Sequence, residues 1–233
     1  MDKKILGVLG GIGPMSSAYF YKLVTEHTLA TKDQEHLDIV ISSKSSTPDR
    51  TAYILGESEE NPLPVMIDEC NKMVAFGAKV IAVTCNTAHY FYDGLQKAID
   101  VPILNIGTLA VDYLIKHNID AVGLMATTGT IKGGIYQSAC ENEGLKCLVP
   151  SEDDQELVMK LIYKDIKAGI KPNMEQFYTV AYKLKSQGAK AIILGCTELS
   201  LVKEAGILDE SFIDPLEILA KASIEACGYK TKN

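Results

Sequence analysis

The apolar positions of this chain fall into short runs separated by longer amphipathic stretches. Ile5 to Leu9 is the first run. It breaks into Gly10-Gly11-Ile12-Gly13-Pro14, after which apolar residues recur at helical spacing through Tyr19, Leu23 and Val24. Short apolar runs suit buried strands, and a period of three to four suits a helix with one buried face. Pro14 fits the first helical turn, where a missing N–H costs nothing. The same pattern predicts strands at Leu37 to Ile41, Lys79 to Val83, Pro102 to Ile106, Ala121 to Met125, Lys146 to Val149 and Ala191 to Leu194. It predicts helices at Pro62 to Phe76, Asp154 to Ala168, Met174 to Gln187 and Leu216 to Ala226. Strand alternating with helix over the whole length means an α/β fold with parallel sheets.

The pattern also repeats. Phe76-Gly77-Ala78-Lys79-Val80-Ile81 matches Gln187-Gly188-Ala189-Lys190-Ala191-Ile192, and the match runs on without a gap to Cys85 and Cys196, 111 residues apart. Ile5-Leu6-Gly7-Val8-Leu9 echoes Ala121-Val122-Gly123-Leu124-Met125 at an offset of 116, and Val101-Pro102 is matched to Asp214-Pro215 at 113. Near-constant spacing implies two similar Rossmann-like units related by a pseudo-twofold axis. Their expected limits are 1–106 and 107–212, with the closing helix within 213–233 packing back on the first unit.

Composition narrows the function. The chain has 233 residues, 47% hydrophobic and 23% charged, which is ordinary for a globular protein with a sizeable core. No apolar run approaches the roughly 18 residues of a membrane helix. Met1 to Gly13 carries two lysines and then apolar residues, yet its glycines leave no signal-peptide core, so it reads as a strand and loop of a cytoplasmic protein. A net charge of −7 argues against nucleic acid or an anionic membrane as partner. Six cysteines without a C-x-x-C pair read as free thiols. Arg50 is the single arginine among 23 basic residues. A guanidinium grips a carboxylate through two parallel hydrogen bonds, which lysine cannot copy. The plain alternative is a surface arginine in a weak ion pair.

In open parallel sheets, ligands bind beyond the carboxyl ends of the strands. Cys85 and Cys196 both fall there, one per unit, followed by Asn86-Thr87 and Thr197-Glu198. Facing units would aim both thiols into one cleft. Two opposed thiols suit inversion of a stereocentre, one sulfur removing a proton while the other delivers one to the opposite face. Asn86, Thr87 and Thr197 are helix-capping types, so each sulfur is expected near the positive end of a helix dipole.

At this point the residues resemble a family. Gly10-Gly11-Ile12-Gly13-Pro14-Met15, Thr47-Pro48-Asp49-Arg50-Thr51, Thr84-Cys85-Asn86-Thr87-Ala88 and Gly195-Cys196-Thr197-Glu198 are similar, in order and over essentially the full chain, to the motifs of aspartate/glutamate racemases. Glutamate racemases usually carry Gly-Cys-Thr-His-Tyr at the second cysteine, so the Glu198 found here favours the aspartate branch. The resemblance implies a homodimeric racemase of aspartate, with glutamate as a further substrate, that needs no pyridoxal phosphate and no metal. It implies Cys85 and Cys196 as the two acid/base residues and Arg50 as a ligand of the substrate carboxylate. It implies Lys167 on a mobile segment closing over the substrate, and Met15, Asn86, Thr87, Thr128 and Thr197 as lining residues.

Other readings are open to comparison. Gly11 and Gly13 after a strand suggest a dinucleotide loop, but Ser16 takes the third glycine position and Ser42-Ser43 the place of the ribose-binding acid. Cys85 and His89 have a spacing that could place two zinc ligands on one helical turn, without an obvious third. His27, His36 and His117 form no constellation. A non-catalytic binding protein for an acidic amino acid would use Arg50 but has no need of paired thiols. Maleate isomerase, hydantoin racemase and arylmalonate decarboxylase chemistry are nearer alternatives.

Overall fold

The computed structural model describes residues 3–206 and 208–232; Met1 and Asp2 of the lysine-bearing start lie outside the described residues. The first unit runs β1 (Ile5–Gly10), α1 (Pro14–His27), β2 (Ile39–Ser43), α2 (Arg50–Ile54), α3 (Leu63–Phe76), β3 (Ala78–Val83), α4 (Tyr92–Ala98), β4 (Ile103–Leu104) and α5 (Ile106–Lys116). The second runs β5 (Ala121–Ala126), α6 (Thr128–Lys132), α7 (Ile135–Asn142), β6 (Lys146–Leu148), α8 (Glu152–Lys160), α9 (Met174–Ser186), β7 (Ala191–Gly195), α10 (Thr197–Glu204), β8 (Phe212–Ile213) and α11 (Pro215–Ala226).

Each unit holds a four-stranded parallel sheet, ordered β2-β1-β3-β4 in one and β6-β5-β7-β8 in the other. The repeat extends to the register: Gly7 pairs with Ile81 as Gly123 pairs with Ile192. It also corrects one match made from sequence. Ile103 sits beside Ile81 and Phe212 beside Ile192, so Asn105 corresponds to Asp214, and Pro102 has no relation to Pro215. Both true equivalents cap helices: Asn105 accepts from the N–H groups of Gly107 and Thr108, and Asp214 from that of Leu216.

Strand residues alternate faces, which splits the core of each sheet in two. Leu6 and Val8 meet Phe20, Leu23 and Val24 of α1 on one side, while Leu9, Ile81 and Val83 meet Met66, Cys70 and Met73 of α3 on the other. In the second unit Val122 and Leu124 face Tyr136 and Cys140 of α7, and Met125, Ile192 and Leu194 face Phe177, Val180 and Leu184 of α9. The last helices cross over. Leu216, Leu219, Ala220 and Ile224 of α11 fill the first unit's core, and Ala110, Val111 and Leu114 of α5 fill the second's. Reciprocal burial of this kind joins the units through their apolar cores.

Gly77 and Gly188 end α3 and α9 with φ of 117° and 106°, a conformation costly for any residue with a Cβ. That explains why the helix-to-strand turn recurs with glycine in both units. The helix expected over Asp154 to Ala168 is divided: α8 ends at Lys160, and Leu161–Ile166 continues as a π-helix. Such widened turns accompany functional sites. Among the described residues, no helix is long and apolar enough to cross a membrane.

Candidate active site

Cys85 follows β3 and Cys196 follows β7, so equivalent strand ends deliver the two thiols to one place. Both line a single enclosed gap of about 10 Å³, and they are 7% and 6% exposed. That space holds about one water. An amino acid is larger than this gap alone. Ile12, Arg50, Lys167 and Glu198 also line an outer cavity of about 330 Å³, which leads to the gap and is rimmed by Met15, Ser45, Thr47 and Leu201.

The surroundings of the two sulfurs differ. Arg50, at the start of α2, is 8% exposed. Its Nη1 donates to the carbonyls of Thr47 at 3.3 Å and Pro48 at 3.0 Å, its Nε has no partner among the described residues, and it lines the gap beside Cys85. Burial works against its charge, but Cys85 and Asp49 outweigh that and raise its pKa. Cys196 instead donates to Glu198 Oε2 at 2.8 Å. Burial first, then the Glu198 carboxylate, pushes this thiol well above the ordinary range. Lys167 follows the π-helix, with Nζ 3.8 Å from Glu198 Oε1 and 4.2 Å from the centre of the Tyr163 ring. Burial lowers its pKa, and Glu198 and Cys196 raise it by more, so it stays an ammonium.

Most of the residues singled out from sequence meet here. Cys85, Arg50, Asn86, Thr87, Lys167, Cys196 and Thr197 all line the gap. Met15 stands at the outer rim and is 68% exposed. Thr128 does not line it. As the first residue of α6 it turns outward, its Oγ1 accepting from Gln155 Nε2 at 3.2 Å, in a separate surface groove. Its neighbour Thr127 lines the gap instead, because Thr127 caps α6 and so faces back along the strand end. The helix-dipole expectation holds on one side only. Cys196 is the N-cap of the eight-residue α10, whereas Cys85 precedes a short 3-10 turn, Thr87–Phe91, and neither Asn86 nor Thr197 caps with its side chain.

Sequence reading missed Glu198, Tyr163, Thr51 and Thr127. Glu198 carried a signal, an acid two residues after a cysteine in a strand-end loop. Tyr163 and Thr51 had none, because their place depends on the π-helix and on α2. Thr87, Thr127 and Thr130 bond one another through their hydroxyls at 2.9 to 3.0 Å and link the units beneath the gap. His89 turns Nδ1 to the Cys85 carbonyl at 2.9 Å and Nε2 toward that of Leu104, which occupies the ring in structural contacts. Among the described residues no group of three His, Cys, Asp or Glu is placed to hold a metal ion.

A family model for Asp/Glu/Hydantoin racemase matches residues 9–223. The aspartate racemase of Picrophilus torridus superposes with a TM-score of 0.84 at 28% identity, covering 98% of this chain and 96% of that one. The broad specificity amino-acid racemase RacX of Bacillus subtilis is 27% identical over 224 residues, which is 94% of this chain and 96% of the relative. The glutamate racemase of Francisella tularensis shares the fold, with a TM-score of 0.70 at 20% identity over 97% of this chain and 81% of its own. A family model matched over nearly the full length, with racemases alike in fold and sequence across the chain, settles the kinship: the chain belongs to the Asp/Glu/Hydantoin racemase family and is an isomerase, an amino-acid racemase.

Proposed function

We propose that the protein interconverts L- and D-aspartate, with glutamate as a further substrate, through a two-base mechanism that uses Cys85 and Cys196 and no cofactor. The observation that carries this reading is the placement of two buried thiols, one from each unit, on a single closed gap. A thiolate at one sulfur takes the α-proton, and the thiol at the other delivers its proton to the opposite face of the same carbon. The protonation states of the pair are then exchanged, and the reverse reaction starts from that exchanged state. A thiolate at Cys85 has the Arg50 guanidinium as counter-ion, and Cys196 has Glu198 to receive its proton.

The α-hydrogen is far less acidic than a thiol, so the developing carbanion needs fixed charges and donors in a water-free space. Arg50, Lys167 and the unpartnered Nδ2 of Asn86 supply them, and the small volume limits solvent to about one water. Two cations against the acids Asp49 and Glu198 make a site that accommodates a substrate with two carboxylates and one ammonium.

A second reading, a broader range of amino acids, is favoured by the outer cavity. Its 330 Å³ and its apolar residues Ile12, Met15, Ile166 and Leu201 leave room for side chains longer than that of aspartate. The name of the Bacillus subtilis relative agrees with it. Exchange of the α-proton with solvent deuterium tests the mechanism across a panel of amino acids. Racemisation with exchange in the wild type, lost in both Cys85→Ala and Cys196→Ala, supports it, and racemisation that survives in either variant rules out a joint role.

A further inference from the structure

The amide of Asn86 is oriented from the opposite unit. Tyr136 lies on α7, fully buried, and its hydroxyl donates to Asn86 Oδ1. Among the described residues this is the hydrogen bond that the phenol makes. Asn86 is 2% exposed and lines the gap between the cysteines, and its Nδ2 has no partner there. A side-chain amide offers an acceptor at one end and donors at the other, and a half-turn exchanges them. A phenol proton needs an acceptor, so Tyr136 holds Oδ1 toward α7 and leaves Nδ2 as the free end of an amide that lines the gap.

We propose that Tyr136 is a positioning residue of the racemase, fixing which end of the Asn86 amide meets the substrate. This rests on the racemase reading in one respect, that the group met by Nδ2 is the carboxylate on the reacting carbon. Asn86 and Cys85 line the same gap, so the amide can meet the carboxylate bonded to the carbon whose proton Cys85 takes. As the α-proton leaves, charge spreads into that carboxylate, and an N–H donor binds it more strongly in the transition state than in the ground state. With the amide reversed, an acceptor oxygen would face the growing charge. Burial, and then Asp214 and Cys196, hold the phenol pKa well above its ordinary value, so it remains a donor at any working pH.

Tyr136→Phe keeps the ring against Leu124, Ala126 and Cys140 and deletes the hydroxyl alone. Expected is a loss of roughly tenfold in kcat/KM for aspartate, carried mainly by kcat, with Tm little changed. In an Asn86→Ala background the same substitution has no further effect. An equal loss in both backgrounds, or none in the wild-type one, overturns the proposal. Amide orientation is also read without turnover, from NOEs of the Asn86 side-chain amide protons in labelled protein. NOEs to the Cys85 and Cys196 β-protons support the proposal, and NOEs to the Tyr136 ring overturn it. A wild type inactive on every amino acid, with NOEs to the cysteines, removes the racemase reading and leaves the orientation standing.

Discussion

Cys196 and Glu198 share one proton across 2.8 Å, both buried from water. With its pKa raised by burial and by that carboxylate, the thiol is protonated at neutral pH, the state in which the proposed mechanism uses it as the acid. Glu198→Gln keeps the shape and removes the charge. The Cys196 titration should then move down toward the ordinary range, and kcat should fall about 10²- to 10³-fold in the direction in which Cys196 must first give its proton to Glu198 to serve as the base. The pH dependence of iodoacetamide labelling in a Cys85→Ala background reads the first effect. An unmoved titration removes Glu198 from the proton path.

Arg50→Lys separates charge from geometry. The guanidinium is anchored by two carbonyls while lining the gap beside Cys85, an arrangement that a single ammonium cannot reproduce. Expected is a fall of about 100-fold in kcat/KM despite the retained charge. Near-wild-type kinetics would show that only the positive charge matters at this position.

Much of this site was legible before any coordinates. Matched strand ends placed Cys85 and Cys196, and the single arginine stood out by composition. What stayed hidden was set by tertiary contact. β4 and β8 are two residues each, too short to show a period, which is why the match of Pro102 to Pro215 slipped. Tyr163 reaches the gap only because the helix widens after Lys160. The Tyr136–Asn86 bond joins residues 50 apart in sequence through a fold that no local pattern encodes. Thr128 was misplaced by one residue, which at a helix start is enough to turn a side chain outward.

Asp214 gives the fold a pH dependence of definite sign. Its carboxyl is 2% exposed, Oδ1 accepts from Ser200 Oγ at 2.7 Å and from the Leu216 N–H at 2.9 Å, and Oδ2 has no partner among the described residues. Burial raises its pKa from 3.8 to about 6. The folded state binds this proton more tightly than the unfolded chain, so the contribution is full below about pH 4 and is lost as pH rises through 6. That difference corresponds to about 2–3 kcal/mol. Asp214→Asn keeps the Oδ1 contacts and cannot ionise, so its stability relative to wild type should improve between pH 4 and 7 in denaturant titrations. A difference that does not change with pH would contradict this.

The reciprocal placement of α5 and α11 predicts how the molecule unfolds. Leu219 belongs to the closing helix yet is buried in the first unit's core. Leu219→Ala should cost about 2–5 kcal/mol and leave a single unfolding transition, since each unit's core contains the other's last helix. Two separate transitions by calorimetry would mean that the units are stable apart.

In the proposed mechanism two sulfurs act on opposite faces of one carbon. Racemisation of L-aspartate started in deuterium oxide and stopped at low conversion tests it directly. Opposed bases predict D-aspartate carrying deuterium at Cα while the remaining L-aspartate is still protiated. Protium retained in the product, or deuterium entering substrate and product at equal rates, would mean that one base serves both faces.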